Sequence, residues 1–165
     1  MAARPFLGLL SLILLAGAVL LQFFLILAGT TSSTPENLIY FLETTTNGIP
    51  GARNPSRWTL FYVCGVNSDG HNDNCGSPVP ALPFNPPGSS NFATDVGVPD
   101  AFIGTRRYYY LSRFAFAFFL MSLFLGVVAL FTGLLALCTR LGAYVSSATT
   151  FFAAFFQVLF ASLMT

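Results

Sequence analysis

The chain has 165 residues, 55% of them hydrophobic and 8% charged, with a formal net charge of +1 and a mean hydropathy of +0.71. Soluble domains carry about a quarter charged residues, so this composition excludes a chain that covers itself with a water-facing surface. Its 19 Phe equally exclude disorder, and with no Lys there is no basic cluster of the kind that nucleic acid requires.

Charge is concentrated in one window. All six acids, four of the seven arginines and nine of the ten prolines lie between residues 30 and 107. Around that window the sequence predicts a membrane α-helical bundle with three spans, carrying a small disulfide-stapled outer domain that contains β-strands. Residues 1–5 form a short start with Arg4. Residues 6–28 supply a first run long enough to cross a bilayer, which takes about 20 mainly apolar residues. A signal peptide cleaved after Ala28 is the rival reading, but the run exceeds the roughly 7–15 residues of a signal's apolar core, so a retained span is expected. Residues 29–109 form the polar domain. Residues 110–137 are the second span, 138–142 a tight turn, and 143–165 the third span, antiparallel to the second.

Arg4 and Arg140 place the amino terminus and the turn in the cytoplasm by the positive-inside rule, while Arg106, Arg107 and Arg113 argue the other way. Loops longer than about 60 residues translocate largely regardless of charge. Cys64 and Cys75, both in the polar window, decide the matter: such a pair reads as a disulfide in an oxidising compartment. The window is expected outside the cell.

Within it, residues 37–42 and 57–64 read as strands, rich in aromatic and β-branched types. Alternation along the second would set Trp58, Leu60, Tyr62 and Cys64 on one face. The Cys64–Cys75 bridge would staple a hydrophilic excursion in a domain too small to order itself by burial. Residues 76–87 carry repeated Pro, which fixes φ and removes donors, so an extended, stiff segment is expected there.

Trp58-Thr59 followed by Cys64 and Cys75, then Pro80-Ala81-Leu82-Pro83-Phe84, Asn91-Phe92 and Tyr109-Tyr110-Leu111-Ser112-Arg113-Phe114 together resemble the Sur/PalI family of fungal plasma-membrane tetraspans. The Trp…Cys…Cys pattern is similar also to claudins, which place Gly-Leu-Trp before the first cysteine, whereas here Ser56-Arg57-Trp58 stands further upstream of it. The resemblance implies a four-helix plasma-membrane protein of eisosome-associated furrows, linked to endocytosis, sphingolipid balance and cell-wall integrity, or in the PalI branch to ambient-pH signalling. A fourth helix and a cytoplasmic tail are not within this stretch, so either it is a fragment or the protein has three spans.

Candidate sites are few. The spans hold no Asp, Glu, His or Lys, the groups that mark ion pathways and proton relays. Gln22 and Gln157 are expected to hydrogen-bond between helices. Neither His-Glu-x-x-His nor Gly-x-Ser-x-Gly occurs, and Asp69-Gly-His-Asn-Asp73 lacks the later glycine and glutamate of a calcium loop. No enzyme activity, metal, cofactor or small-molecule substrate is expected. Gly142, Ser146, Thr150 and Ala154 at four-residue spacing on the third span, with Gly126 and Gly133 on the second, mark faces where helices approach closely. Arg106, Arg107 and Arg113 surround Tyr108, Tyr109 and Tyr110, a set suited to phosphate-bearing headgroups, which the resemblance suggests are sphingolipids. Cys138 is a candidate for S-palmitoylation. The expected partners are membrane lipids and either further copies of the chain or a larger membrane complex.

Overall fold

The computed structural model describes residues 3–31, 33–136 and 139–164. It divides into two units. One holds the chain up to residue 23 and from Ala115 onward; the other runs from Phe24 to Phe114.

The first unit is built from α1 (Ala3–Leu27), α2 (Arg107–Ala136) and α3 (Arg140–Met164). Each contains a segment long and apolar enough to span a membrane, with mean hydropathies of 2.7, 2.6 and 1.6. No Pro interrupts them beyond Pro5 in the first turn of α1, where a missing N–H costs nothing.

α2 is the central helix. It buries Ala115, Phe119, Ser122, Gly126, Ala129 and Gly133, alternating steps of four and three that keep one seam facing its neighbours. A Cβ on Gly126 would stand 3.2 Å from Val19, and one on Gly133 would stand 2.7 Å from Leu12. The two glycines, seven apart, therefore receive two α1 side chains that are also seven apart. Phe119 packs against Phe160 and Phe118 against Phe156 on α3, with ring centroids 5.1 and 6.0 Å apart.

A polar knot joins the three helices. Gln22 Nε2 donates to Gln157 Oε1 at 2.9 Å and to Ser122 Oγ at 3.1 Å, while Ser122 Oγ donates to Ala153 O at 3.0 Å. The expected Gln22–Gln157 bond is present, and Ser122 ties it to α2. Replacing Gln22 with Leu is expected to loosen helix association by about 0.6–2 kcal/mol, the range for such bonds in membranes. Steric trapping of the detergent-solubilised chain would read it; an unchanged association energy would show that packing alone holds the helices.

The second unit centres on an antiparallel sheet in the order β1-β2-β3-β4, formed by Leu42–Thr44, Ser56–Trp58, Val63–Val66 and Asn72–Asp73. Two sequence expectations are corrected. Residues 37–42 are not a strand: Glu36–Leu38 is a 3-10 turn, and the strand begins where they end, at Leu42. Asn37 is instead buried and bonds through Nδ2 to His71 Nδ1 at 2.8 Å, a tertiary contact that outweighs local β-propensity.

Residues 57–64 are not one strand but two. Trp58 pairs with Val63, and Thr59 N donates to Tyr62 O at 2.9 Å, closing a turn between β2 and β3. The Thr59 hydroxyl also accepts from Tyr62 N at 3.1 Å, a side-chain substitute for a backbone turn bond. The supposed alternating face is thereby lost: Thr59 and Val63 are buried along with Trp58, Leu60 and Cys64.

Arg57 organises the sheet. It is buried, its Nε donates to Glu43 Oε2 at 2.6 Å, and its Nη1 donates to Gly70 O at 2.8 Å and Asn72 Oδ1 at 3.2 Å. The guanidinium also lies 4.2 Å from the centre of the Tyr40 ring. One side chain thus connects β1 to the β3–β4 hairpin.

Cys64 and Cys75 are disulfide-bonded, and Cys64 is fully buried. Gly29 lies against this clip. It is left-handed (φ 81°), and a Cβ there would stand 3.3 Å from Thr59 Oγ1 and Tyr62 Cδ2 and 3.4 Å from Cys64 Sγ. Changing both cysteines to Ser is expected to cost about 2–3 kcal/mol for so short a closed loop. Urea unfolding followed by Trp58 fluorescence checks this, and an unshifted midpoint would show that packing alone orders residues 65–74.

Candidate functional site

The motif residues of the polar domain converge on one indole. Trp58 is buried with Val63 and Leu82, and Val79, Phe84 and Phe92 pack against them. Phe84 and Phe92 meet its ring edge-on at 5.5 and 5.7 Å, the geometry aromatic quadrupoles prefer. Its Nε1 donates to Asn91 Oδ1 at 2.8 Å, and Asn91 Nδ2 donates to Pro83 O at 2.9 Å. Asn91 therefore completes both the buried indole and the proline segment.

That segment is irregular, and turns at residues 80–81 and 86–87 break the extended run expected of its prolines. Val79 N donates to Phe61 O at 2.9 Å, which fastens its start to the β2–β3 turn. Pro80 and Ala81 make a turn with Ala81 left-handed (φ 51°). Phe84 N donates to Ser112 Oγ at 3.0 Å, and that hydroxyl also bonds the carbonyls of Tyr108 and Tyr109. Phe84 touches Phe102 and Tyr108 at 5.6 and 6.2 Å. Trp58, Pro83, Phe84, Asn91, Phe92, Tyr108 and Ser112, scattered along the sequence, thus form one connected body.

The first turns of α2 carry the basic and aromatic set. Arg106, Arg107, Tyr108, Tyr110 and Arg113 are exposed. Arg113 lies 4.7 Å from the centre of the Tyr109 ring, and Tyr109 packs edge-on against Tyr110 at 5.4 Å. Among the described residues the ion pair is Arg57–Glu43, so the three arginines at the head of α2 have no carboxylate within reach. The aromatic set is split by function: Tyr108 faces Phe84 and Phe102, while Tyr109 and Tyr110 accompany the cations.

The small residues of the helices are also divided. A Cβ on Gly133 would stand 3.3 Å from Ser146 Oγ, and Ser146 Oγ donates to Ala129 O at 3.4 Å. Gly126 faces α1 rather than α3. Gly142 sits over the end of α2, where a Cβ would stand 2.9 Å from Ala136 N. The α3 seam against α2 includes Ser146, Ala153 and Phe160, seven apart, and of the four-residue stripe Gly142 and Ser146 meet α2 directly. Thr150 and Ala154 border a groove of about 770 Å³ with Gly8 and Ser11 of α1 and Gly133 and Ala136 of α2. A strict four-residue step drifts off any one face of a helix, whereas seven residues return to it. Cys138 lies outside the described residues.

Sequence reasoning missed Arg57, Ser112 and the bonding role of Asn91. A charged residue inside a strand and a polar residue in the first turns of a span were the available signals. Among the described residues no cluster of three metal-ligating side chains occurs.

The SUR7/PalI family profile matches residues 7–165. SUR7 family protein FMP45 of Saccharomyces cerevisiae is 43% identical over 131 residues, covering 79% of this chain and 41% of that protein. Protein SUR7 of Candida albicans is 44% identical over 115 residues, 68% of this chain and 40% of the relative. A plasma membrane protein of S. cerevisiae is 34% identical over 168 residues, 100% of this chain and 55% of its own length. The chain spans about two fifths to just over half the length of these curated relatives. No solved structure matches it. The chain belongs to the SUR7/PalI family.

Proposed function

We propose that this chain is a non-enzymatic organiser of a plasma-membrane microdomain of the eisosome or furrow type, acting through lipid and helix contacts and serving endocytosis and cell-wall integrity. Plasma-membrane residence is the location named for a relative that aligns with the whole chain. In this reading residues 1–5 and 138–142 are cytoplasmic, residues 29–109 are outside, and the spans are 6–28, 110–137 and 143–165.

The observation that carries the reading is the head of α2. Exposed Arg106, Arg107 and Arg113 have no carboxylate partner among the described residues and stand among tyrosines. Guanidinium forks match phosphate oxygens and tyrosine rings favour the headgroup region. The ligands would be phosphate-bearing headgroups of the outer leaflet, such as inositol-phosphate sphingolipids. Replacing all three arginines with Gln and weighing co-purified sphingolipid tests this. Expected is a several-fold loss of bound sphingolipid; an unchanged amount rejects the lipid role.

The groove among the three helices, lined by Gly8, Ser11, Gly133, Thr150 and Ala154, favours a second reading as an accessory subunit, for instance of a wall-polymer synthase or a pH-sensing receptor. Native mass separates the two. Homo-oligomers support the organiser, and a stoichiometric complex with one large protein supports the subunit.

A further inference from the structure

Two arginines of the outer domain, four residues apart, are treated in opposite ways. Arg57 spends its donors on Glu43, Gly70 and Asn72. Arg53 is half-buried and makes one side-chain bond, from Nη1 to Val63 O at 3.2 Å, while its Nε is buried without a partner. Among the described residues no carboxylate lies within 4.0 Å of it. A half-buried guanidinium so poorly satisfied calls for an acceptor.

Arg53 lines a pocket of about 540 Å³ together with Asn54, Asp73, Asn74, Gly51 and Gly65. The side chain lies across Gly65, where a Cβ would stand 3.3 Å from its Cβ and Cδ. Glycine at 65 is therefore what lets the arginine lie flat along β3. The pocket is held in shape by its surroundings. Arg53 O accepts from the hydroxyls of Thr46 and Ser56, Asn54 Oδ1 accepts from Thr46 N at 3.2 Å, and Asp73 Oδ1 accepts from Asn74 N at 2.7 Å. The Cys64–Cys75 clip closes the hairpin that supplies Asp73 and Asn74.

The lining selects its ligand by charge. A guanidinium pairs with a carboxylate or phosphoryl group through two parallel bonds. Asp73 in the same pocket repels a doubly charged anion but accepts from hydroxyls, the Asn74 amide can do either, and Asn54 Nδ2, which donates to Asn47 Oδ1, keeps a second N–H. We propose that the Arg53 pocket is a binding site for a monoanionic hydroxylated ligand, a sugar acid or a sugar phosphodiester, with its oxyanion on Arg53 and its hydroxyls on Asp73 and the two amides. This goes beyond the lipid reading and uses none of the arginines at the head of α2.

The test is calorimetric titration of the purified full chain in detergent micelles. The probes are glucuronate, the methyl diester of glucose 1-phosphate, and inorganic phosphate. Saturable millimolar binding of either sugar probe, tighter than that of inorganic phosphate, is expected; which one binds tells the carboxylate source from the phosphodiester source. Arg53→Gln should weaken it about tenfold, the loss of one charge-assisted pair. Arg53→Lys, which keeps the charge without the fork, should fall between. Asp73→Asn should raise inorganic phosphate binding toward that of the sugar probe. Failure of both sugar probes to saturate overturns the proposal, as does unchanged affinity in Arg53→Gln with native Trp58 fluorescence. Should Arg53→Gln fail to fold, Arg53→Lys and Asp73→Asn decide: wild-type affinity in the first or unchanged selectivity in the second overturns it. The triple variant at Arg106, Arg107 and Arg113 should bind the sugar probe as wild type does, which separates this site from the lipid reading.

Discussion

Arg57→Ala is expected to lower the stability of the polar domain by about 3–5 kcal/mol, the cost of removing one partner from a buried charged network. The change strands Gly70 O and Asn72 Oδ1 and removes the cation from the Tyr40 ring. Asn72 is buried, and an orphaned buried acceptor costs about 1–3 kcal/mol, whereas Gly70 is exposed and its carbonyl can recover water. Glu43 is 37% exposed and can recover water, so Glu43→Gln is expected to cost only about 1 kcal/mol, as a part-exposed pair does. Most of the loss in Arg57→Ala therefore comes from the stranded acceptors, above all the buried Asn72, and not from the ion pair. If both variants, measured by urea unfolding with Trp58 fluorescence, lose the same small amount, Arg57 is an ordinary surface pair and not the joint between β1 and the β3–β4 hairpin.

Trp58→Ala should be of similar size, about 3–5 kcal/mol, because a buried aromatic leaves a cavity that its neighbours fill only in part. Val63, Leu82, Phe84 and Phe92 would all lose a packing partner. Trp58→Phe separates packing from hydrogen bonding. It keeps a ring in place but withdraws the Nε1 donor from Asn91 Oδ1, and is expected to cost about 1–3 kcal/mol. Pulse proteolysis of the full chain gives both values without relying on tryptophan emission. A silent Trp58→Phe would mean that the indole acts by volume alone and that Asn91 is held by Pro83.

These expectations also show how far local pattern reaches. Three long apolar runs separated by one polar window were legible because a bilayer demands length and apolarity, and both are sums over neighbouring residues. The Cys64–Cys75 clip was legible because the two thiols shared the one polar, turn-rich window of the sequence. The Gln22–Gln157 bond was legible because an amide at membrane depth must find a partner.

The split of residues 57–64 into two strands was not legible. The run has the composition of one strand, and the bond from Thr59 N to Tyr62 O that folds it back carries no marker such as Gly or Asn-Gly. Nor did the stripe at Gly142, Ser146, Thr150 and Ala154 disclose which of its members meet α2. Both neighbours of α3 are apolar, so hydrophobic pattern cannot rank its faces, and the crossing geometry chooses the seam at Ser146, Ala153 and Phe160.

By itself, then, the sequence determined which segments are apolar enough for a membrane, which stretch is polar and which cysteines form the clip. Solvent preference belongs to each residue and adds along the chain. Tertiary structure alone decided which polar groups satisfy one another. It gave Trp58 to Asn91, Phe84 to Ser112 and Arg57 to Glu43, and it left Arg53 facing a pocket. Hydrogen bonds are directional and short, so their pairing depends on distances in space that spacing along the chain does not encode.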